Sequence, residues 1–272
     1  MPEGPEIRRA ADAVAAAIVG KTARRVQFGL APLERFEARL TGARIEAIET
    51  HGKAMLTRFD NGLNIYSHNQ LYGRWYVVPA GEPPETGRQL RLAIETDDRW
   101  ALLYSASDIH VLADDEIPSH PFLSKLGPDV LDPATTAETV RKRLLDPRFR
   151  HRQLGGFLTD QRFVAGLGNY LRCEILFVAA LAPRTRPADL DDERLQRLAT
   201  AIVELPRQSY RTGGITNDIA AAERMMAAGA SFEQARFFVF RRAGLPCHRC
   251  GSDIVKATQG GQACYHCPGC QP

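Results

Sequence analysis

Two stretches near opposite ends of the 272-residue chain hold residues whose types and spacing could do chemistry. The first is Met1-Pro2-Glu3-Gly4-Pro5-Glu6. If Met1 is removed, Pro2 becomes the terminus and its nitrogen a secondary amine. An α-amino group titrates near pH ~8, well below the ~10.4 of a lysine, so a sizeable fraction is unprotonated at neutral pH. Such an amine can attack a sugar carbon, and the resulting iminium withdraws electrons and permits elimination further along the sugar. Glu3, beside it, is suited to proton transfer. The competing role for Pro2 and Pro5 is to start a helix, since proline is favourable in a first turn.

The second stretch is Cys247-x2-Cys250-x16-Cys267-x2-Cys270. This is the spacing of a zinc ribbon, in which two knuckles hold one tetrahedral Zn2+ through four thiolates. Cys264 and His266 are spare soft ligands, and Cys264 could compete. Five of the six cysteines fall within residues 247–270, which points to a metal site rather than a disulfide framework, and so to a reducing cytoplasm.

Three further motifs carry weaker signals. His51-Gly52-Lys53 sits at a strand junction, where Lys53 could equally be a solvated surface residue. Gln70-Leu71-Tyr72 puts a polar, an aliphatic and an aromatic residue on one loop tip. Apolar wedges of this kind fill the gap left when a nucleotide is held out of the stack, although Leu and Tyr could also be hairpin core. Gly166-Leu167-Gly168-Asn169 opens a helix, so its backbone amides and the Asn169 side chain could approach a phosphate closely. Plain helix–helix turns use glycine too.

The elements that must position these residues follow from periodicity. Ile7, Ala10, Ala11, Val14 and Ile18 recur at helical spacing and predict an amphipathic helix over 5–19, stopped at Gly20. Short β-forming runs at 43–49, 54–59, 63–67, 73–78, 90–96 and 100–105, separated by turn residues, predict a β-sandwich or flattened barrel. Residues 117–134 read as a Pro-rich linker. Beyond it, Thr135/Thr136 cap a helix to 145, with Glu138 as capping-box partner to Thr135. Further helices are expected at 151–158, after Asn169, and at 189–204, the last stopped by Pro206. Residues 213–231 read as a mobile loop with a short helix at 219–228. The expected organisation is α+β: a catalytic β-sandwich domain at 1–116, the linker, a helical domain at 135–233 and a zinc-ribbon finger at 234–272.

Composition agrees with a globular protein, at 44% apolar and 25% charged. The acidic start lacks the apolar core of a signal peptide. The alanine-rich run at 10–19 is too short to span a bilayer. Residues 1–134 hold 15 Lys+Arg against 19 Asp+Glu, and residues 135–272 hold 20 against 13, so a net −4 half precedes a net +7 half. A basic C-terminal half suits an anionic partner.

The Pro-Glu-Gly-Pro-Glu opening, the sandwich lysine, the Gly-Leu-Gly-Asn-Tyr turn and the four-cysteine ribbon together resemble the formamidopyrimidine-DNA glycosylase/endonuclease VIII family along the whole chain, in order. The opening and the contiguous Gln70-Leu71-Tyr72 resemble the pyrimidine-directed branch. The resemblance implies a bifunctional glycosylase and lyase that acts on damaged DNA as a bacterial, nucleoid-associated monomer. It assigns C1′ attack to Pro2, proton management to Glu3, and phosphate contact with assistance to base departure to Lys53. Glu6 and Glu174 match acidic positions near the active-site cleft. Asn169 would bind the phosphates that flank the lesion, and Gln70, Leu71 and Tyr72 would fill the void. Zinc would be structural. One position departs from the pattern. Family members carry an arginine five residues before the third cysteine, where this chain has Gln262. Glutamine brings neither charge nor a bidentate fork. That leaves two rivals: a DNA-binding protein that kept the fold without catalysis, and a zinc-ribbon transcription regulator. For the regulator, nothing in the chain resembles a base-reading helix.

Overall fold

The computed structural model describes residues 2–272; Met1, whose removal the Pro2 chemistry requires, lies outside them. The chain forms two compact units. One holds Pro2 and Glu6–Lys125; the other holds Glu3–Pro5 and Leu126–Pro272.

Helix α1 (Gly4–Ile18) belongs to the first unit from Glu6 onward, and its Ile7, Ala11, Val14 and Ile18 form one buried stripe, as their spacing requires. Eight strands follow: β1 (Arg25–Phe28), β2 (Ile45–His51), β3 (Ala54–Phe59), β4 (Leu63–His68), β5 (Arg74–Pro79), β6 (Leu90–Glu95), β7 (Arg99–Tyr104) and β8 (Asp108–Ala113). A one-turn helix, α2 (Glu37–Leu40), lies between β1 and β2. The strands make two four-stranded antiparallel sheets, β1-β6-β7-β5 and β2-β3-β4-β8. Val26, Leu92, Ile94 and Leu103 of one sheet pack with Met55, Phe59, Ile65 and Ile109 of the other and with Val14 and Ile18 of α1. The edge strands β1 and β8 were not expected. β1 has only four residues and β8 begins Asp-Ile-His, so neither reads as a run of β-formers. Strand β3 is also buried on its outward face, where Ala54 and Leu56 lie with Tyr66 under Ile117, Phe122 and Leu123. The stretch read as a linker therefore contributes core residues, and the division between units falls inside it, after Lys125.

The second unit contains α3 (Ala137–Leu144), α4 (Leu154–Phe157), α5 (Asn169–Val178), α6 (Asp192–Thr212), α7 (Ile219–Ala227), α8 (Phe232–Ala235) and a hairpin of β9 (Val255–Gln259) and β10 (Gln262–His266). Its core runs from Val140 and Leu144 through Phe157, Phe163, Leu171 and Ile175 to Leu198 and Ile202. Three local expectations change. The cap of α3 is Thr136, whose side chain accepts from the Thr139 amide, while Thr135 is buried. Pro206 does not stop α6, which runs through it to Thr212. The hydrogen bond that its missing N–H forfeits is offset by burial of Leu205 and Pro206. Within 213–231, Thr216 and Asn217 are buried and both amides donate to the Arg236 carbonyl, which pins the stretch read as mobile. No helix of the described residues is long and apolar enough to cross a membrane.

Candidate active site

In the second unit, Glu3 meets the N-terminus of α5. Its side chain is 2% exposed. Oε2 accepts from the Gly168 amide at 2.7 Å and from Leu171 at 3.3 Å, and Oε1 accepts from Tyr170 at 2.8 Å. Next to it, the Gly4 amide donates to the Gly166 carbonyl at 2.8 Å. A helix N-terminus presents unpaired amides and a partial positive charge, so a carboxylate is its natural ligand. Gly168 must lack a side chain, because a Cβ there would overlap the Glu3 carboxylate. The glycine turn was expected to offer its amides to phosphate; the Gly168 amide and, beyond the turn, those of Tyr170 and Leu171 hold Glu3.

The Asn169 side chain is oriented by Arg172. Arg172 is fully buried. One terminal nitrogen donates to the carbonyls of Gly155 at 2.6 Å and Gln259 at 3.1 Å. The other donates to Asn169 Oδ1 at 2.5 Å and to the Ala263 carbonyl at 3.1 Å. Guanidinium only donates, so it fixes Asn169 with its oxygen inward and its NH2 free to donate. The same fork ties both hairpin strands to α5. Sequence reasoning missed Arg172 because an arginine on a helix reads as solvated surface; its place three residues after Asn169 was the only clue.

Glu174, matched to the cleft by resemblance, is instead completely buried. It accepts from Thr216 Oγ at 2.7 Å and from the amides of Phe238, Val239 and Phe240 at 2.8, 2.8 and 2.9 Å. Burial pushes its carboxyl pKa above the ordinary value, and these four donors pull against the rise. It anchors the chain that leads into the ribbon.

The Sγ atoms of Cys247, Cys250, Cys267 and Cys270 lie within 4.8 Å of one another. Two of the pairs are 3.9 Å (Cys247–Cys270) and 3.4 Å (Cys250–Cys267) apart. Tetrahedral Zn2+ with ~2.3 Å bonds sets its sulfurs roughly 3.8 Å apart, so the four fit zinc. Cys264 is not part of this cluster. Its Sγ lies 4.0 Å from that of Cys173, and both are buried. Gln262 opens β10 opposite Gln259, exposed, across the Gly260-Gly261 turn; Lys256, also exposed, faces Tyr265.

In the first unit, Pro2, Glu6 and Lys53 are half-buried. Lys53 lies in the two-residue turn between His51 and Ala54, and Ala54 pairs with His68 of β4. Register thus brings Lys53 to the sheet end from which the Gln70 loop emerges. The charges agree: burial, then Lys53, push the His68 pKa down, against the pull of Asp108. Leu71 is 54% and Tyr72 70% exposed, the two highest values among the large apolar side chains of the described residues. They are therefore not hairpin core.

The Glu3 cap, the Arg172–Asn169 pair and the four-thiolate hairpin all belong to the second unit. Residues 1–107 match the Formamidopyrimidine-DNA glycosylase N-terminal domain and residues 126–220 the Formamidopyrimidine-DNA glycosylase H2TH domain. The chain belongs to the formamidopyrimidine-DNA glycosylase/endonuclease VIII family. It is 51% identical over 271 residues, covering all of both chains, to Endonuclease 8 of Escherichia coli (strain K12 / DH10B), and equally to that of Shigella sonnei (strain Ss046). Solved structures of Lactococcus lactis Fpg share the fold at 22% identity over 99% of each chain. They include a complex with abasic-site DNA (TM-score 0.82) and one with DNA containing an oxidised pyrimidine (TM-score 0.81).

Proposed function

We propose that this protein is a bifunctional DNA glycosylase/AP lyase of base-excision repair that removes oxidised pyrimidines and cuts the resulting abasic strand by β,δ-elimination. The observation that carries the reading is the Glu3 carboxylate fixed on the α5 amides, one residue from the only secondary amine the chain can expose. Pro2 attacks C1′, the base departs with the bonding electrons and takes a proton, and the C1′–O4′ bond opens with O4′ protonated, which leaves the iminium. Lys53 supplies positive charge to the phosphate and assists the departing base. The iminium acidifies the C2′ proton; its removal expels the 3′-phosphate, a second elimination expels the 5′-phosphate, and hydrolysis frees Pro2. Glu3, held in one orientation, exchanges protons at the sugar. Glu6, in the first turn of α1, contributes negative charge near the terminal amine.

Damaged DNA is the partner. Asn169 donates to the phosphates beside the lesion, and Gln70, Leu71 and Tyr72 fill the vacated stack. Cys247, Cys250, Cys267 and Cys270 would hold one Zn2+; a closed four-thiolate site has no open position, so the metal supplies stiffness to the hairpin. Gln262 makes the hairpin tip neutral and weakens its phosphate contact relative to an arginine. An oligonucleotide with a single oxidised pyrimidine tests the assignment. The expected products are the free base and a gap with phosphate at both ends. Binding without any strand cut would favour the non-catalytic alternative that Gln262 suggests.

A further inference from the structure

The tip Gln70-Leu71-Tyr72 is held in an unfavourable shape by groups that play no part in the reaction. Gln70 has φ +50, a left-handed conformation that side-chain-bearing residues enter at a cost. Its amide donates to His68 Nδ1 at 3.1 Å. Its side-chain Oε1 accepts from Ser107 Oγ at 3.0 Å, and the Tyr72 carbonyl accepts from Arg88 at 2.6 Å. The turn closes where the Gly73 amide donates to the Asn69 carbonyl at 2.7 Å. A Cβ on Gly73 would stand 2.5 Å from that carbonyl oxygen, so only glycine permits the closure. The anchors come from three separate places: the end of β4, the β5–β6 loop and the β7–β8 junction. Together they fix the loop from which Leu71 and Tyr72 project into solvent.

We propose that His68, Arg88 and Ser107 are positioning residues that hold this tip ready for insertion before DNA binds, and that this speeds excision from duplex more than from single-stranded substrate. The inference rests on the wedge reading above. Only a duplex must be unstacked and held open, so only there does a ready-made wedge save ordering cost. A single strand has no partner base to displace and needs no such help.

The test compares excision of one oxidised pyrimidine in a duplex and in the matching single strand, under single-turnover conditions. Ser107→Ala and Arg88→Ala should each slow duplex excision about 3-fold, and the double variant up to about 10-fold, the range expected for one or two modest hydrogen bonds. Single-strand excision should stay within about twofold. Ser107→Thr and Arg88→Lys, which keep a donor, should restore the duplex rate. A 2-aminopurine opposite the lesion should brighten more slowly in the alanine variants. Leu71→Ala is the reference. If it is duplex-selective and the anchor variants are not, or if they slow both substrates alike, the inference is overturned while the wedge reading stands. If Leu71→Ala itself slows both substrates equally, both fall.

Discussion

Replacing Glu3 by glutamine tests the junction on which the site depends. The carboxylate has two accepting oxygens and serves three main-chain donors while 2% exposed. Glutamine has one oxygen. Placed where Oε2 lies, it keeps Gly168 and Leu171 but turns its NH2 toward the Tyr170 amide; flipped, it loses two bonds. The better choice still leaves a buried donor facing a donor, worth about 1–3 kcal/mol. Loss of negative charge at the α5 N-terminus adds about 0.3–1 kcal/mol. The sum is about 1–4 kcal/mol. At ~2–4 °C per kcal/mol for a unit of this size, the melting temperature of the unit that holds α5 should fall by about 3–16 °C. Glu3→Ala, which removes both accepting oxygens and so all three bonds, should fall further. The assay is calorimetric unfolding of both variants beside the parent, followed by excision on lesion-bearing DNA and cleavage at a preformed abasic site. Glu3→Gln should impair excision more than abasic cleavage. A Glu3→Gln protein that melts within about 1 °C of the parent would refute the capping argument.

Metal analysis should find one zinc per chain. Cys247→Ser or Cys270→Ser should lose it and cost DNA binding, whereas Cys264→Ser should keep it; zinc loss in Cys264→Ser would contradict the cluster seen here. Gln262→Arg should tighten DNA binding and steepen the log–log salt dependence by about one unit, since each phosphate-neutralising cation contributes about that much. An unchanged slope, with Lys256→Ala flattening it, would mean that Lys256 already fills that phosphate site. Arg172→Lys cannot bridge Gly155, Asn169 and both hairpin strands at once. It should weaken DNA binding about tenfold or more; titration of a lesion duplex that gave the parent affinity would show that Asn169 needs no support.

Local signals in the sequence located the α1 stripe, most strands and the four-thiolate spacing, because each is written within a few residues. Contacts across the chain were not visible. Glu3 and the α5 amides are 165 to 168 positions apart, and a glycine turn before a helix looks the same whether it receives a phosphate or a carboxylate. Arg172 and Glu174 sit in a helix whose neighbours on every side are supplied by distant segments, so charged residues that would ordinarily be solvated are buried with partners. Pro206 misled because its cost is local, whereas the packing that offsets it is tertiary. Ser107 and Arg88 carry no pattern at all; only the folded loop gives them a role.

In the proposed reaction Pro2, freed of Met1, is the nucleophile. Borohydride reduction during turnover of an oxidised-pyrimidine duplex traps the covalent intermediate, and mass spectrometry of the digested adduct locates the bond. One adduct is expected, on the N-terminal peptide at the Pro2 nitrogen, absent from protein that retains Met1. An adduct on Lys53 or another lysine, or full activity with Met1 in place, would contradict it.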